Sequence, residues 1–203
     1  MSAAERLFAD RGFKRVTVRE ICRVARANVA AVNYHFGGKL GLYREVLQSA
    51  IDAMRSTNEA AKQAGEGQTP ENQLRRYIFI FVHRLLSPGN ETMHRLMNRE
   101  MNDPTPVLDE LVERGVRPRI EYLSGVVSEM IGRPPTDQEV LRCIASIQSQ
   151  SIAYLPNPIV KKLGLTLTAT PAQIDEVAEH IAQFSVAGVR AIASANERRR
   201  KRS

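Results

Sequence analysis

An all-α fold follows from three features of this chain. Apolar residues recur every three or four positions along most of its length, and no stretch alternates apolar and polar residues as a half-buried strand would. Gly, Pro, Asn and Asp gather where a periodic stretch stops. The 203 residues, 43% apolar and 25% charged, are enough for one large or two modest domains with real cores.

The elements follow in order. Ala3, Ala4, Leu7 and Phe8 share one helical face ahead of Gly12, and the pattern begins so near Met1 that an upstream extension is expected. Thr17 caps a short helix with Val18, Ile21, Cys22 and Ala25 on one face and Arg19, Glu20, Arg23 and Arg26 on the other. Asn28 caps a second short helix carrying Ala30 and Ala31, then Asn33, Tyr34, His35 and Phe36. Two short helices, a tight turn and an immediate third helix form the layout of a helix-turn-helix.

Lys39 to Ala64 continues as a helix with Leu42, Val46, Ala50, Ala53 and Met54 on one stripe, stopped by the loop Gly65 to Pro70. From Glu71 a helix carries Leu74, Tyr77, Ile78, Phe81, Val82 and Leu85 as far as Ser87-Pro88-Gly89. Glu91 to Met101 is a short helix ended by Asp103-Pro104-Thr105-Pro106. Val107 to Ile131 follows, interrupted by Gly115 and Pro118, with a kink expected near Pro118. Thr136 to Tyr154 and Pro171 to Ala195 are the last helices, joined by a long connection, Leu155 to Thr170. No internal repeat is present.

Charge divides unevenly. Residues 1–50 carry a net +5, the tail RRRKR at 198–202 another +5, and the stretch between them −3, for a total of +7. A basic head on a near-neutral body suits phosphate binding, because clustered Lys and Arg release counterions from nucleic acid. No segment approaches the ~20 apolar residues that cross a bilayer, and the start lacks the layout of a signal peptide, so a cytoplasmic protein without membrane contact is expected. Cys22 and Cys143 lie far apart on apolar faces and predict no disulfide framework.

The second short helix has the chemistry of a major-groove reader. Asn33 can bond an adenine edge, Ala30 or Ala31 can touch a thymine methyl, and Arg19 from the preceding helix can fork onto guanine. Thr17, Tyr34, His35 and Lys39 suit phosphate oxygens, which fix register without reading sequence. Asn28 is either a DNA contact or only a cap.

The run Thr-Val-Arg-Glu-Ile, a short turn, and Val-Asn-Tyr-His-Phe-Gly-Gly-Lys-x-x-Leu-Tyr resembles the DNA-binding domain of TetR-family transcriptional regulators. The Asn-Tyr-His-Phe-Gly variant is most similar to the CecR-type branch. Ala3-Ala4-x-x-Leu7-Phe8-x-x-x-Gly12-Phe13 is similar to the second half of that family's first helix. The resemblance covers roughly residues 3–47 and departs at the turn, where the family usually has Gly and this chain has Arg26. It implies a helix-turn-helix three-helix DNA-binding domain at 1–47, a helical bundle at 48–197 for effector binding and dimerisation, and a basic tail at 198–203. It also implies the DNA contacts already named, at Thr17, Arg19, Asn28, Ala30, Ala31, Asn33, Tyr34, His35 and Lys39.

The implied function is a ligand-responsive regulator, a repressor acting as a homodimer on double-stranded operator DNA and released by an unknown small-molecule effector. Met93, Met97 and Met101 share a stripe that Tyr77, Phe81 and Tyr122 can approach, with Gln148, His94 or Arg95 for polar contacts; this is the expected effector pocket. The last two long helices carry stripes too apolar for a monomer surface, so Ile144, Ile147, Ala178, Ile181, Phe184 and Gly188 are expected at the dimer interface.

Catalytic chemistry is not indicated. Gly37-Gly38-Lys39 lacks the spacing of a phosphate-cradling loop, and His83, His94 and His180 lack ligand spacing for a metal. No Ser-His-Asp or paired-carboxylate pattern stands out, so neither an enzyme nor a cofactor is expected. The rival readings are a helical protein-protein adaptor without specific DNA binding and an enzyme using a middle-domain pocket.

Overall fold

The computed structural model describes residues 1–155, 157–164 and 170–200. Every regular element among them is helical. In chain order these are α1 (Ser2–Arg15), α2 (Val18–Ala25), α3 (Val29–Phe36), α4 (Lys39–Gly65), α5 (Pro70–Leu86), α6 (Glu91–Asn102) and α7 (Leu108–Leu111). A π turn (Val112–Val116) leads into α8 (Arg117–Ile131), α9 (Gln138–Ala153), α10 (Pro158–Lys162) and α11 (Pro171–Arg200). No described helix is long and apolar enough to cross a membrane. The chain forms two compact units. The first joins residues 1–55 to 88–117, and the second joins 56–87 to the described chain from Pro118 onward.

The first unit is built on the small amino-terminal helices. Phe8 and Ala9 of α1, Val16 just after it, Ile21 and Cys22 of α2, Val32 of α3, and Leu42, Tyr43, Val46 and Leu47 of α4 form one apolar cluster. Phe8 meets Tyr43 edge to face at 4.8 Å, and Phe13 lies 5.0 Å from the same ring. α1 breaks its helical path at Gly12, whose φ of +77° suits a residue without Cβ.

The cluster also takes in Leu96 and Met97 of α6 together with Val107, so α6 belongs to this unit. Polar contacts fix it there. Arg99 donates to the carbonyls of Ala9 (3.5 Å) and Asp10 (2.6 Å), Arg95 pairs with the Asp10 carboxylate (3.3 Å), and Lys14 pairs with Asp103. Most telling is Glu100, 1% exposed. Its carboxylate accepts from the Tyr43 hydroxyl (2.6 Å), from the Thr105 backbone N–H (3.2 Å) and from the Thr105 hydroxyl (3.3 Å). Burial and the neighbouring Glu100 carboxylate together push the Tyr43 phenol well above its usual range, so it stays a donor.

In the second unit α5, α8, α9 and α11 close over one core. Leu74, Ile78 and Val82 face Leu123 and Val127, with Val140, Ile147, Ile174 and Ile181 completing it. α9 and α11 run antiparallel. Gln150 donates to Ser185 at one level (3.2 Å) and Asn196 donates to Glu139 at another (2.7 Å). Cys22 and Cys143 are both free and buried.

Several expected boundaries shift for local reasons. α9 starts at Gln138 rather than Thr136, because Asp137 caps it, accepting from the Glu139 backbone N–H at 2.8 Å. The expected kink near Pro118 takes the form of the π turn just before it, which lies where the missing proline N–H would leave an α-helical carbonyl without a partner. Gly115 in that turn packs closely on α4, where a Cβ would stand 2.8 Å from the Met54 sulfur and displace that side chain. The expected connection 155–170 holds α10 between Asn157 and Leu163; Pro156 and residues 165–169 lie outside the described residues. α11 extends to Arg200, and residues 201–203 of the expected basic tail also lie outside.

Replacing Tyr43 by Phe leaves the buried Glu100 carboxylate one hydrogen bond short, which should destabilise the first unit by about 1 to 3 kcal/mol. Urea unfolding followed by circular dichroism reads this as a lowered midpoint, and an unchanged midpoint would show that the contact contributes nothing.

Candidate nucleic-acid interface

The two short helices are fixed by their own caps. The Thr17 hydroxyl accepts from the Glu20 backbone N–H (3.2 Å), and Asn28 Oδ1 accepts from that of Ala30 (2.8 Å). Between them the chain turns at Arg26, whose φ of +52° and ψ of +41° are left-handed and whose N–H closes on the Cys22 carbonyl. Among the described residues only Arg26 takes a positive φ without being glycine. That explains why the family prefers Gly at this position.

α3 divides cleanly into two faces. Val32 is buried, and Val29 and Phe36 are half-buried against the unit's core. Ala30, Ala31, Asn33, Tyr34 and His35 are all exposed. Tyr34 is 86% exposed, with its ring 5.2 Å from His35 and edge-on to it. Packing gives no reason for a tyrosine there. A helix with its side chains is about 10–12 Å across, which the ~12 Å width of the DNA major groove admits. The exposed face pairs small side chains, which allow close approach, with hydrogen-bonding groups.

Flanking positions complete the surface. Thr17, Arg19 and Asn28 are exposed, the first and last also serving as caps. Lys39 begins α4, with its ammonium 4.4 Å over the Phe13 ring and donating to the Lys14 carbonyl at 3.4 Å. Partial burial lowers its pKa from the usual lysine value. Lys39 therefore ties α1 to α4 as well as offering positive charge. No group of acidic, His or Cys side chains among the described residues is arranged to hold a metal.

The residues expected in an effector pocket fall in both units. Tyr77, Phe81, Tyr122 and Gln148 come together in the second unit, where Tyr77 stacks on Phe81 at 5.6 Å and Gln148 donates to its hydroxyl at 2.8 Å. Met93, Met97 and Met101 belong to the first unit. Met97 packs on the cluster beneath the short helices, and Met101 is 69% exposed. Of the three methionines, Met97 is the one whose side chain packs on the unit's own core. His94 and Arg95 lie on the same helix, with Arg95 engaged by Asp10.

The expected interface set needs a similar correction. Ile144, Ile147, Ala178 and Ile181 are 3%, 2%, 0% and 0% exposed within the single chain, because α5 and α8 already cover them. Phe184 (64% exposed) and Gly188 face outward, with nothing within 4 Å of where a Gly188 Cβ would stand. Sequence reading missed Glu100. Its signal was an acidic residue on an apolar stripe, four positions after Leu96.

Removing the left-handed strain predicts that Arg26→Gly raises stability by about 1 kcal/mol, read as a higher urea midpoint. A lowered midpoint would mean that the Arg26 side chain contributes more than its backbone costs.

Comparison with known proteins places these features in context. Residues 1–46 match the family profile described as bacterial regulatory proteins, tetR family, and residues 70–189 match the C-terminal domain of the HTH-type transcriptional dual regulator CecR. A probable HTH-type transcriptional regulator, YttP of Bacillus subtilis (strain 168), is 26% identical over 137 residues. That match covers 61% of this chain and 66% of YttP, just under two thirds of its length. Among solved structures, the ketosteroid transcriptional regulator KstR2 of Mycobacterium tuberculosis superposes with a TM-score of 0.65 at 16% identity, covering 92% of this chain and 91% of that one. SCO4454, a TetR-family transcriptional regulator from Streptomyces coelicolor, gives 0.64 at 18% identity and 93% of each chain. The fatty acid degradation regulator FadR from Bacillus halodurans gives 0.62 at 14% identity, with 92% and 96% covered. At these identities the shared feature is the fold.

Proposed function

This chain belongs to the TetR family of bacterial transcriptional regulators, of the CecR type, and we propose on that footing that it is a cytoplasmic repressor that binds operator DNA as a homodimer and leaves it when a small molecule binds. The observation that carries the reading is the outer face of α3, where Ala30, Ala31, Asn33, Tyr34 and His35 stand exposed while Val29, Val32 and Phe36 anchor the helix. Arg19 supplies a base contact from α2. Thr17, Tyr34, His35 and Lys39 supply phosphate contacts that set register. No observation favours an enzymatic role over this one.

A single α3 reads half a site, so two chains must place their α3 helices about one DNA turn, ~34 to 36 Å, apart. The outward faces of α9 and α11 suit the pairing. Their antiparallel course brings Ile152 (53% exposed) and Phe184 toward the same end of the pair, with Gly188 one turn further along α11. Two-fold pairing of this surface would cover exposed apolar side chains and let helices approach at the glycine.

Asn33→Ala should cost about 1 to 3 kcal/mol of specific binding and relax preference at one base position. Gel shift against the region upstream of the chain's own gene measures it, and unaltered affinity and preference would remove α3 from the interface. Phe184→Glu changes a side chain exposed in the single chain, so the helical spectrum should persist while sedimentation equilibrium shows monomers and operator binding disappears. A variant that stays dimeric would place the interface on another surface.

A further inference from the structure

In the second unit one guanidinium nitrogen is shut off from solvent without a partner. Arg119 is half-buried, and its Nε is shielded and has no hydrogen-bond partner among the described residues. The guanidinium carbon sits 5.1 Å over the Phe81 ring. A shielded guanidinium N–H without an acceptor is costly, and an aromatic face offsets only part of that cost. Two further buried groups in the same neighbourhood are also unpartnered: the Tyr122 hydroxyl and Gln148 Oε1. Tyr77 connects them. Its ring lies 6.2 Å from that of Tyr122, its hydroxyl accepts from Gln148, and it stacks on Phe81. Burial pushes the Tyr77 phenol up to about 12, with the Arg119 charge opposing that rise, so the two groups lie within electrostatic reach.

Tyr122, one member of this cluster, forms part of the wall of a cleft of about 310 Å³ lined also by Lys62, Gln63, Gly65, Glu66 and Gln73. That volume is at the lower end for small organic ligands. Gly65 keeps it open, because a Cβ there would stand 2.8 Å from the Tyr122 hydroxyl and 3.2 Å from Gln73 Cγ.

We propose that the effector is a small aryl carboxylate, its carboxylate accepting from Arg119 Nε and the Tyr122 hydroxyl, its ring lying along Tyr77 and Phe81, and a hydroxyl on it donating to Gln148 Oε1. The inference rests on reading the chain as ligand-responsive and names the chemistry of that ligand. Each orphaned group then gains a partner of the right kind: two donors meet an anion and one acceptor meets a hydroxyl. A neutral or cationic ligand of the same shape brings no negative charge to Arg119.

The test uses the full-length protein and three probes of one shape: para-hydroxyphenylacetate, its primary amide and its methyl ester. Isothermal titration should show the carboxylate binding at least about tenfold more tightly than either neutral analogue. Arg119→Met should abolish that preference and Arg119→Lys should restore part of it, while gel shift without ligand stays at the wild-type level. Gly65→Val should weaken the carboxylate by closing the cleft, which gives a second variant should Arg119→Met fail to fold. Equal affinity for acid, amide and ester, or no binding of any probe, would overturn the assignment, as would full retention of the preference in Arg119→Met. Carboxylate binding that leaves the operator complex intact in gel shift would uphold the site and contradict the ligand-responsive reading instead.

Discussion

The buried Glu100 carboxylate is the constraint on which the arrangement of the DNA-reading unit depends. At 1% exposure it cannot rely on water, so its oxygens need donors, and those it has come from two distant places in the chain: Tyr43 on α4, and Thr105 beyond the end of α6. Satisfying one carboxylate therefore fixes three segments together. Leu96 and Met97 on the preceding turn add apolar contact with the cluster under α3. Specificity of position, more than net stability, is what such a group contributes, since an apolar residue of similar size would fill the space with less demand on its neighbours.

From that base the reading helix is held by one face only. Val29, Val32 and Phe36 secure α3 to the core, and the caps at Thr17 and Asn28 set its ends, which leaves the remaining side chains free of structural duty. A tyrosine left 86% exposed is costly in solubility terms and has no packing role, so its use lies outside the chain. The same logic separates core from surface in α11. Ala178 and Ile181 are consumed within the second unit, whereas Phe184 and Gly188 on the opposite face are not.

What the sequence made legible was local. Capping residues, helical periodicity and the break at Gly12 depend on neighbours within a few positions, and the expected helices appear with ends displaced by only a few residues, apart from the carboxy-terminal extension of α11. The assignment of α6 was not legible. A stripe of Met93, Met97 and Met101 reads as core or as pocket lining, and periodicity does not show that Met97 packs under α3 or that Glu100 on the same helix accepts from Tyr43, 57 positions away. Periodicity likewise shows that α9 and α11 have apolar faces but not which layer covers each. Ile144 and Ile181 look like interface residues until α5 and α8 are seen to lie over them. Tyr77, Phe81, Tyr122 and Gln148 lie together in the second unit, and periodicity gives no hint of Arg119 Nε, which is shielded there without a partner.

The central claim is that α6 and the helix-turn-helix form one cooperative DNA-binding unit, and native-state hydrogen exchange with and without a duplex from upstream of the chain's own gene tests it most directly. A duplex held at about a hundredfold over its dissociation constant stabilises whatever unit binds it by ~2.7 kcal/mol. The slowest-exchanging amides of α6 should then gain the same protection as those of α1 and of the first half of α4. Protection that rises in α1 while α6 stays unchanged, or that rises in neither, would contradict the account.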